Sequence, residues 1–252
     1  MADIRMSQLA GTWVLLANYA VTVGHRELER VRLRALDAAF WPSYLREHSG
    51  LPGPRGNIEL AQAVADEGNE LCFNRLITTD DEYLVFCGVV GLGRLLAEGT
   101  DVEQRLWEHA ADARWRVREA VAMALQRLGD TDLPRLLGLV TRWAADNNPL
   151  VQRAAVAGIC EPRLLKTQDA VECAVRTCAE TTHALAIRTT DERRDAGVRA
   201  LRQALGYCWS VAVAADSAIG FPPFRALDGS HDRDVAWIAR ENRKKNRLAK
   251  LL

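Results

Sequence analysis

Cationic and aromatic side chains recur together along the second half of the chain. Arg114, Trp115, Arg116 and Arg118 set a tryptophan among guanidinium groups. An indole there can stack on a guanidinium or a planar ligand, while the arginines can hold phosphates by charge. Arg153 follows, then Arg199 and Arg202, and finally Trp237 with Arg240, Arg243, Lys244, Lys245, Arg247 and Lys250. The competing reading of Arg118, Arg153 and Arg199 is a structural ladder to acidic residues at turns. For the terminal cluster it is a solvated cap whose cations suit a helix C-terminus. Trp107, Trp143 and Trp209 fall where packing accounts for them, whereas Trp115 lies off the apolar stripe of its segment.

No pattern of an active centre accompanies these residues. A nucleophile elbow, a phosphate loop and an HExxH pair are all lacking, and Gly91-Leu92-Gly93 sits inside a helical pattern, where the glycines fit close helix packing. Cys72, Cys87, Cys160, Cys173, Cys178 and Cys208 show no CxxC spacing, and the five histidines are scattered, so neither a metal nor another cofactor is expected. Several of the cysteines fall on apolar stripes and read as small core residues of a reducing compartment.

The elements that would position the arginines show in the apolar spacing. Val117, Ala120, Val121, Ala124, Leu125 and Leu128 form the stripe of an amphipathic helix. Val151, Ala154, Ala155, Gly158 and Ile159 repeat it 34 residues later, and Leu84, Cys87, Gly88, Gly91, Leu92 and Leu95 match it 33 residues earlier. Weaker copies begin at Val198 and Val235, the last failing at Asn242 and Arg243. Such a period implies stacked helix pairs. Small residues at matching places imply close approach between neighbouring helices. Asp80, Asp112, Asp146, Asp191 and Asp232 precede the copies, where a carboxylate can cap helix amides. In GDTDLP, Gly129 suits a helix end, and Asp132 with Pro134 suits the next start.

This pattern resembles the HEAT-repeat family, on Asp112 with Arg118, Asp146 with Arg153, Asp191 with Arg199, and the turn from Gly129 to Pro134. The resemblance covers about residues 57 to 247 and implies an all-α, HEAT-like α-solenoid of about five helix pairs, with second helices lining a concave face. Within it, the segments Trp143 to Ala155 and Asp234 to Leu248 look like the HEAT-like DNA glycosylases that excise alkylated purines, which use tryptophans and a catalytic aspartate. No Trp-Trp-Asp segment exists here, so no catalytic residue carries over. Asp112 near Trp115 is the nearest composition, and it reads first as a helix cap.

The coarse organisation is an N-terminal helical cap over residues 1–48 and a repeat array over 57–252 in one elongated domain. In the cap, helices at 7–23 and 26–40 part at Gly24, and Ser49 to Gly56 follow as a loop. Helix pairs are expected at 57–77 with 81–97, 101–110 with 114–128, 133–145 with 149–160, and 168–187 with 192–214. The stretch 219–232 reads as irregular, and a helix closes the chain. The chain has 252 residues, 48% hydrophobic, 26% charged and without net charge, which points to a soluble protein rather than a globally basic nucleic-acid binder. Residues 1–110 hold 10 cations against 16 anions and the rest 23 against 17, so the array is dipolar. Trp13 to Val23 is too short to span a bilayer and no leader pattern precedes it, so a cytoplasmic protein with no membrane contact is expected. The leading expectation is a non-catalytic scaffold that binds a macromolecule, protein or nucleic acid, on its concave face. The alternative is a DNA-binding or base-excising protein. The residues expected to bind are Arg114, Trp115, Arg118, Arg153, Arg199, Arg202, Trp237, Arg240, Arg243 and Lys244.

Overall fold

Helices account for the regular structure throughout residues 24–53 and 56–251, which the computed structural model describes. These residues are all-α, with no strand among them. The N-terminal helix expected at 7–23, with Trp13, lies outside the described residues. By compactness the chain divides into two units, residues 1–92 and 93–252.

In the first unit, α1 (His25–Ala35) packs on α3 (Ile58–Glu67). Three arginines of α1 fasten it: Arg26 forks onto Asp66 at 2.7 Å on both oxygens, and Arg30 and Arg34 both hold Glu67. The Arg34 guanidinium, opposed by burial and helped by Arg30, keeps the Glu67 carboxyl below the usual range. A 3-10 turn (Ala38–Phe40) and α2 (Trp41–Glu47) follow, with Asp37 accepting from Ala39 N–H. The expected helix over 57–77 is two helices, α3 and α4 (Glu70–Ile77). The break falls where Gly68 lies against the Phe73 ring and Asn69 accepts from Cys72 N–H as a new N-cap. Asn57 caps α3, accepting from Leu60 N–H at 3.0 Å. Helix α5 (Glu82–Ala97) is capped by Asp81, not Asp80, and Gly91 has the Phe73 ring where a side chain would stand.

The second unit takes the end of α5 and then α6 (Glu103–Ala110), α7 (Trp115–Thr131), α8 (Leu133–Ala144), α9 (Pro149–Ile159), α10 (Gln168–Ala186) and α11 (Ala196–Ala215). After them come α12 (Ser217–Arg225), α13 (Arg233–Arg243) and α14 (Asn246–Ala249). Successive helices pair, α6 with α7, α8 with α9 and α10 with α11. The second members also pack side by side, α7 on α9, α9 on α11 and α11 on α13, while α8 packs on α10 and α10 on α12. The stripe residues make these contacts possible. Ala120, Ala124, Ala154 and Ala155 are buried, Gly158 faces Leu125, and a side chain at Gly93 would stand 2.5 Å from the Ala124 backbone.

Local readings change in this unit as well. Gly129 does not end α7; it is buried against Leu136 and Leu164, and Asp132 alone closes α7 and caps α8 by accepting from Arg135 N–H. Asp191 is exposed and pairs with Arg194, while Asp195, after a 3-10 turn at Glu192–Arg194, accepts from Gly197 and Val198 N–H to start α11. Residues 217–225 are helical although Pro222 and Pro223 lie inside, because Asp216 caps the helix and Phe224 is buried against Trp209.

The failing last copy is not a failure of packing. Asn242 is fully buried, its Oδ1 accepting from Ser210 N–H and its Nδ2 donating to Leu205 O, each at 2.8 Å, which fixes α13 on α11.

Candidate binding face

The turn before α7 sets the first group of expected residues. Asp112 Oδ1 accepts from the Arg114 backbone N–H at 2.8 Å, and its carboxylate takes the Arg114 guanidinium at 2.9 and 2.7 Å. Burial opposes the Asp112 charge, but these Arg114 contacts outweigh it and hold the carboxyl below the usual range. Arg118, one turn into α7, donates Nη1 to Asp112 O at 2.6 Å and Ala113 O at 2.8 Å. It therefore ties its own turn through carbonyls rather than through a carboxylate. Burial first and the Arg153 guanidinium second pull its pKa down, against the Asp112 and Glu119 carboxylates.

Arg153, on α9, donates Nη1 to Arg118 O at 3.0 Å and Nη2 to the Glu119 carboxylate. Its guanidinium runs from one second helix to the preceding one, and its side chain is only 11% exposed. A ladder between second helices does exist here, running to a helix glutamate and a carbonyl instead of to a turn aspartate. The turn aspartate of this pair, Asp146, is engaged elsewhere. Its Oδ1 accepts from Asn148 N–H at 2.7 Å, and its Oδ2 accepts the Trp107 indole N–H at 2.8 Å.

Trp115 is 47% exposed, with the Arg116 guanidinium 4.6 Å from its ring. With Arg118, Glu119 and Arg153 it lines an open groove of about 370 Å³, closed on the far side by Ala200, Gln203 and Ala204 of α11. Glu119 stands one turn after Trp115, and Gln203 is exposed between Arg199 and Tyr207 on one stripe of α11. Arg199 makes no ion pair among the described residues. Sequence reasoning missed Glu119, Gln203 and Tyr207, although the i, i+4, i+8 spacing of Arg199, Gln203 and Tyr207 opposite the apolar stripe marks an outer face.

The other expected residues form a second group on α11 and α13. Arg202 lies 4.0 Å over the Trp237 ring and 2.8 Å from Asp234 Oδ1, a charge contact in which its buried Nε makes no directed hydrogen bond. Trp237 is half-buried and also fills the space beside Gly206, so one ring face is covered by Arg202 and an edge by α11. Arg240 is exposed and unpaired among the described residues. Arg243 pairs with Asp228 and lies 5.3 Å over Phe224, and Lys244 holds Glu241 at 2.7 Å. Arg247 donates to the Tyr207 hydroxyl.

Among the described residues no three His, Cys, Asp or Glu side chains converge as a metal-holding group. Cys160 and Cys178 lie 3.7 Å apart, both buried; the Cys178 thiol pushes the Cys160 pKa up and burial pushes that of Cys178 up, the opposite of an activated thiolate. No described helix is long and apolar enough to cross a membrane.

No protein-family model and no curated protein matches this chain. A crystal structure described as that of an engineered protein is similar over 90% of this chain and 98% of its own, at 14% identity and a TM-score of 0.37, a likeness too slight to carry an argument.

Proposed function

We propose that residues 93–251 form a HEAT-like repeat array whose row of second helices binds a macromolecular partner without chemistry of its own. The observation that carries the reading is Trp115: a large apolar ring left 47% exposed at the mouth of a groove whose walls come from three successive second helices. Around it, Arg114, Arg118 and Arg153 are fixed by carbonyls and carboxylates, so the groove is held in shape before anything binds. Such an aromatic anchor in a rigid pocket is the usual centre of a protein interface. Supporting the repeat reading are the side-by-side second helices and the small residues between them.

A second reading is favoured by one arrangement, Glu119 one turn after the exposed Trp115 with Arg118 and Arg153 alongside. The HEAT-like glycosylases that the sequence resembles use tryptophans with a catalytic aspartate, and here Glu119, not Asp112, is the carboxylate in the groove. Its ion pair with Arg153 would have to open for it to act on a base. Titration of fluorescent duplex DNA at rising salt separates the two readings. Saturable binding lost by Trp115→Ala and falling steeply with salt supports the DNA reading, and no binding at low salt removes it. The scaffold reading expects partners retained on the immobilised protein to be lost with Trp115→Ala. An identical set on both proteins overturns it.

A further inference from the structure

Beyond the Trp115 groove, a second concavity opens where the 3-10 turn at Glu192–Arg194 meets α11 and α13. It has a volume of about 800 Å³ and is lined by the side chains of Arg188, Arg193, Arg202, Arg233 and Arg240, against the two carboxylates of Asp232 and Asp234. Five guanidinium groups facing two carboxylates leave a formal excess of three positive charges in one cavity.

The two carboxylates are already engaged. Asp232 Oδ1 accepts from Asp234 and Val235 N–H as the cap of α13, and Asp232 and Asp234 both hold Arg193 Nη1, at 2.6 and 3.3 Å. Arg193 is itself used up, donating Nε to Arg188 O at 2.9 Å and Nη2 to Ala186 O. It acts as the floor of the cavity, joining the end of α10 to the start of α13. The remaining guanidinium groups keep donors in hand. Arg188 uses Nη2 on Asn147 O. Arg202 stands 4.0 Å over the Trp237 ring with its Nε 2.8 Å from Asp234 Oδ1, which leaves its two Nη groups without a partner among the described residues, and Arg233 and Arg240 have no hydrogen bond or ion pair among the described residues. An oxyanion with several acceptor oxygens matches planar forks of this kind.

We propose that this cavity binds a phosphate monoester, with Arg202 and Arg240 as its principal donors and Arg193 with Asp232 and Asp234 as the fixed floor. A monoester dianion answers more of the triple positive excess than a diester monoanion does. The cavity is also a local concavity at one helix junction rather than a track along the helix row, which fits a single terminal phosphate better than a polymer backbone. The site does not depend on the Trp115 groove.

The test is calorimetric titration of the full chain with phenyl phosphate, with inorganic phosphate and dimethyl phosphate alongside. Saturable binding of phenyl phosphate is expected, weaker for dimethyl phosphate by tenfold or more. Arg240→Gln, which removes a guanidinium that has no hydrogen bond or ion pair among the described residues, should weaken it at least tenfold, Arg202→Gln with Arg240→Gln should abolish it, and Trp115→Ala should leave it within twofold. Circular dichroism confirms that the variants are folded. A phosphoserine peptide added as a further arm distinguishes the source: binding tighter than phenyl phosphate points to a phosphorylated chain, and equal binding to a small metabolite. The proposal is overturned if phenyl phosphate does not saturate, if Arg240→Gln leaves its affinity within twofold, or if dimethyl phosphate and duplex DNA bind in its place.

Discussion

Removing the amide of Asn242 should show how much of the second unit rests on one polar side chain. Asn242 has no solvent exposure, and it makes three bonds of 2.8 Å: from Ser210 N–H to Oδ1, and from Nδ2 to Leu205 O and Ile238 O. Two of the three cross from α13 to α11. Asn242→Leu keeps the volume and loses all three. At about 0.5–1.5 kcal/mol net for each bond, and with buried partners left unsatisfied, the loss should come to about 2–4 kcal/mol. Urea unfolding followed by tryptophan fluorescence reports it as a lower midpoint at unchanged slope. Asn242→Asp gives a sharper form of the same test. A protonated Asp can still accept from Ser210 and donate to Leu205, whereas the ionised form places charge in the core. Its folded pKa must then lie above the unfolded value, so the stability of this variant should fall as pH rises through the carboxylate range towards neutrality. If Asn242→Leu stays within about 0.5 kcal/mol of the parent, the reasoning that the amide couples these helices is wrong.

Gly93→Ala sets a methyl against the Ala124 backbone and should cost about 1–3 kcal/mol, while Gly138→Ala, exposed and open within α8, should add about 0.5–1 kcal/mol; thermal melts of the pair read both signs. Ala154→Leu, at a position 1% exposed, should overpack α9 by about 1–3 kcal/mol, and a neutral result would mean that the small stripe positions are not helix contacts. His109 has its pKa held down by burial, with Asp112 partly offsetting it. The folded state therefore binds fewer protons than the unfolded one below about pH 6.5, and stability should fall as pH drops through that range, an effect that His109→Gln should remove from the urea midpoints.

Much of the helix plan was legible because apolar spacing and caps are local signals. The stripe from Val117 to Leu128 and its copy from Val151 are buried as their spacing implies, and Asn57, Asp132 and Asp232 cap as their types imply. What misled were residues whose role depends on a distant neighbour. Gly129 reads as a helix end because glycine usually serves there, yet Leu136 and Leu164 claim the space beside it. Asn242 reads as a break in an apolar stripe because its partners, Ser210 and Leu205, are more than thirty residues away. The site was legible in its composition but not in its pairing. Trp115 is exposed as its position off the stripe suggests, but that Arg153 reaches Glu119 and Arg118 O, and that Arg202 covers Trp237, follow only from how α7, α9, α11 and α13 pack. Three-dimensional convergence of charges at Arg188, Arg193 and Arg233 has no one-dimensional signature, since these lie on a helix end, a 3-10 turn and a helix start.

The central claim, that the row of second helices is the binding face, is tested most directly by placing a photo-crosslinking residue at Gln203 on α11 and, separately, at Arg176 on the exposed side of α10. In cells producing each protein, ultraviolet light should trap a discrete adduct from the Gln203 position, diminished by Trp115→Ala, and none from Arg176. Adducts from Arg176 alone, or adducts at Gln203 that Trp115→Ala leaves untouched, would contradict it.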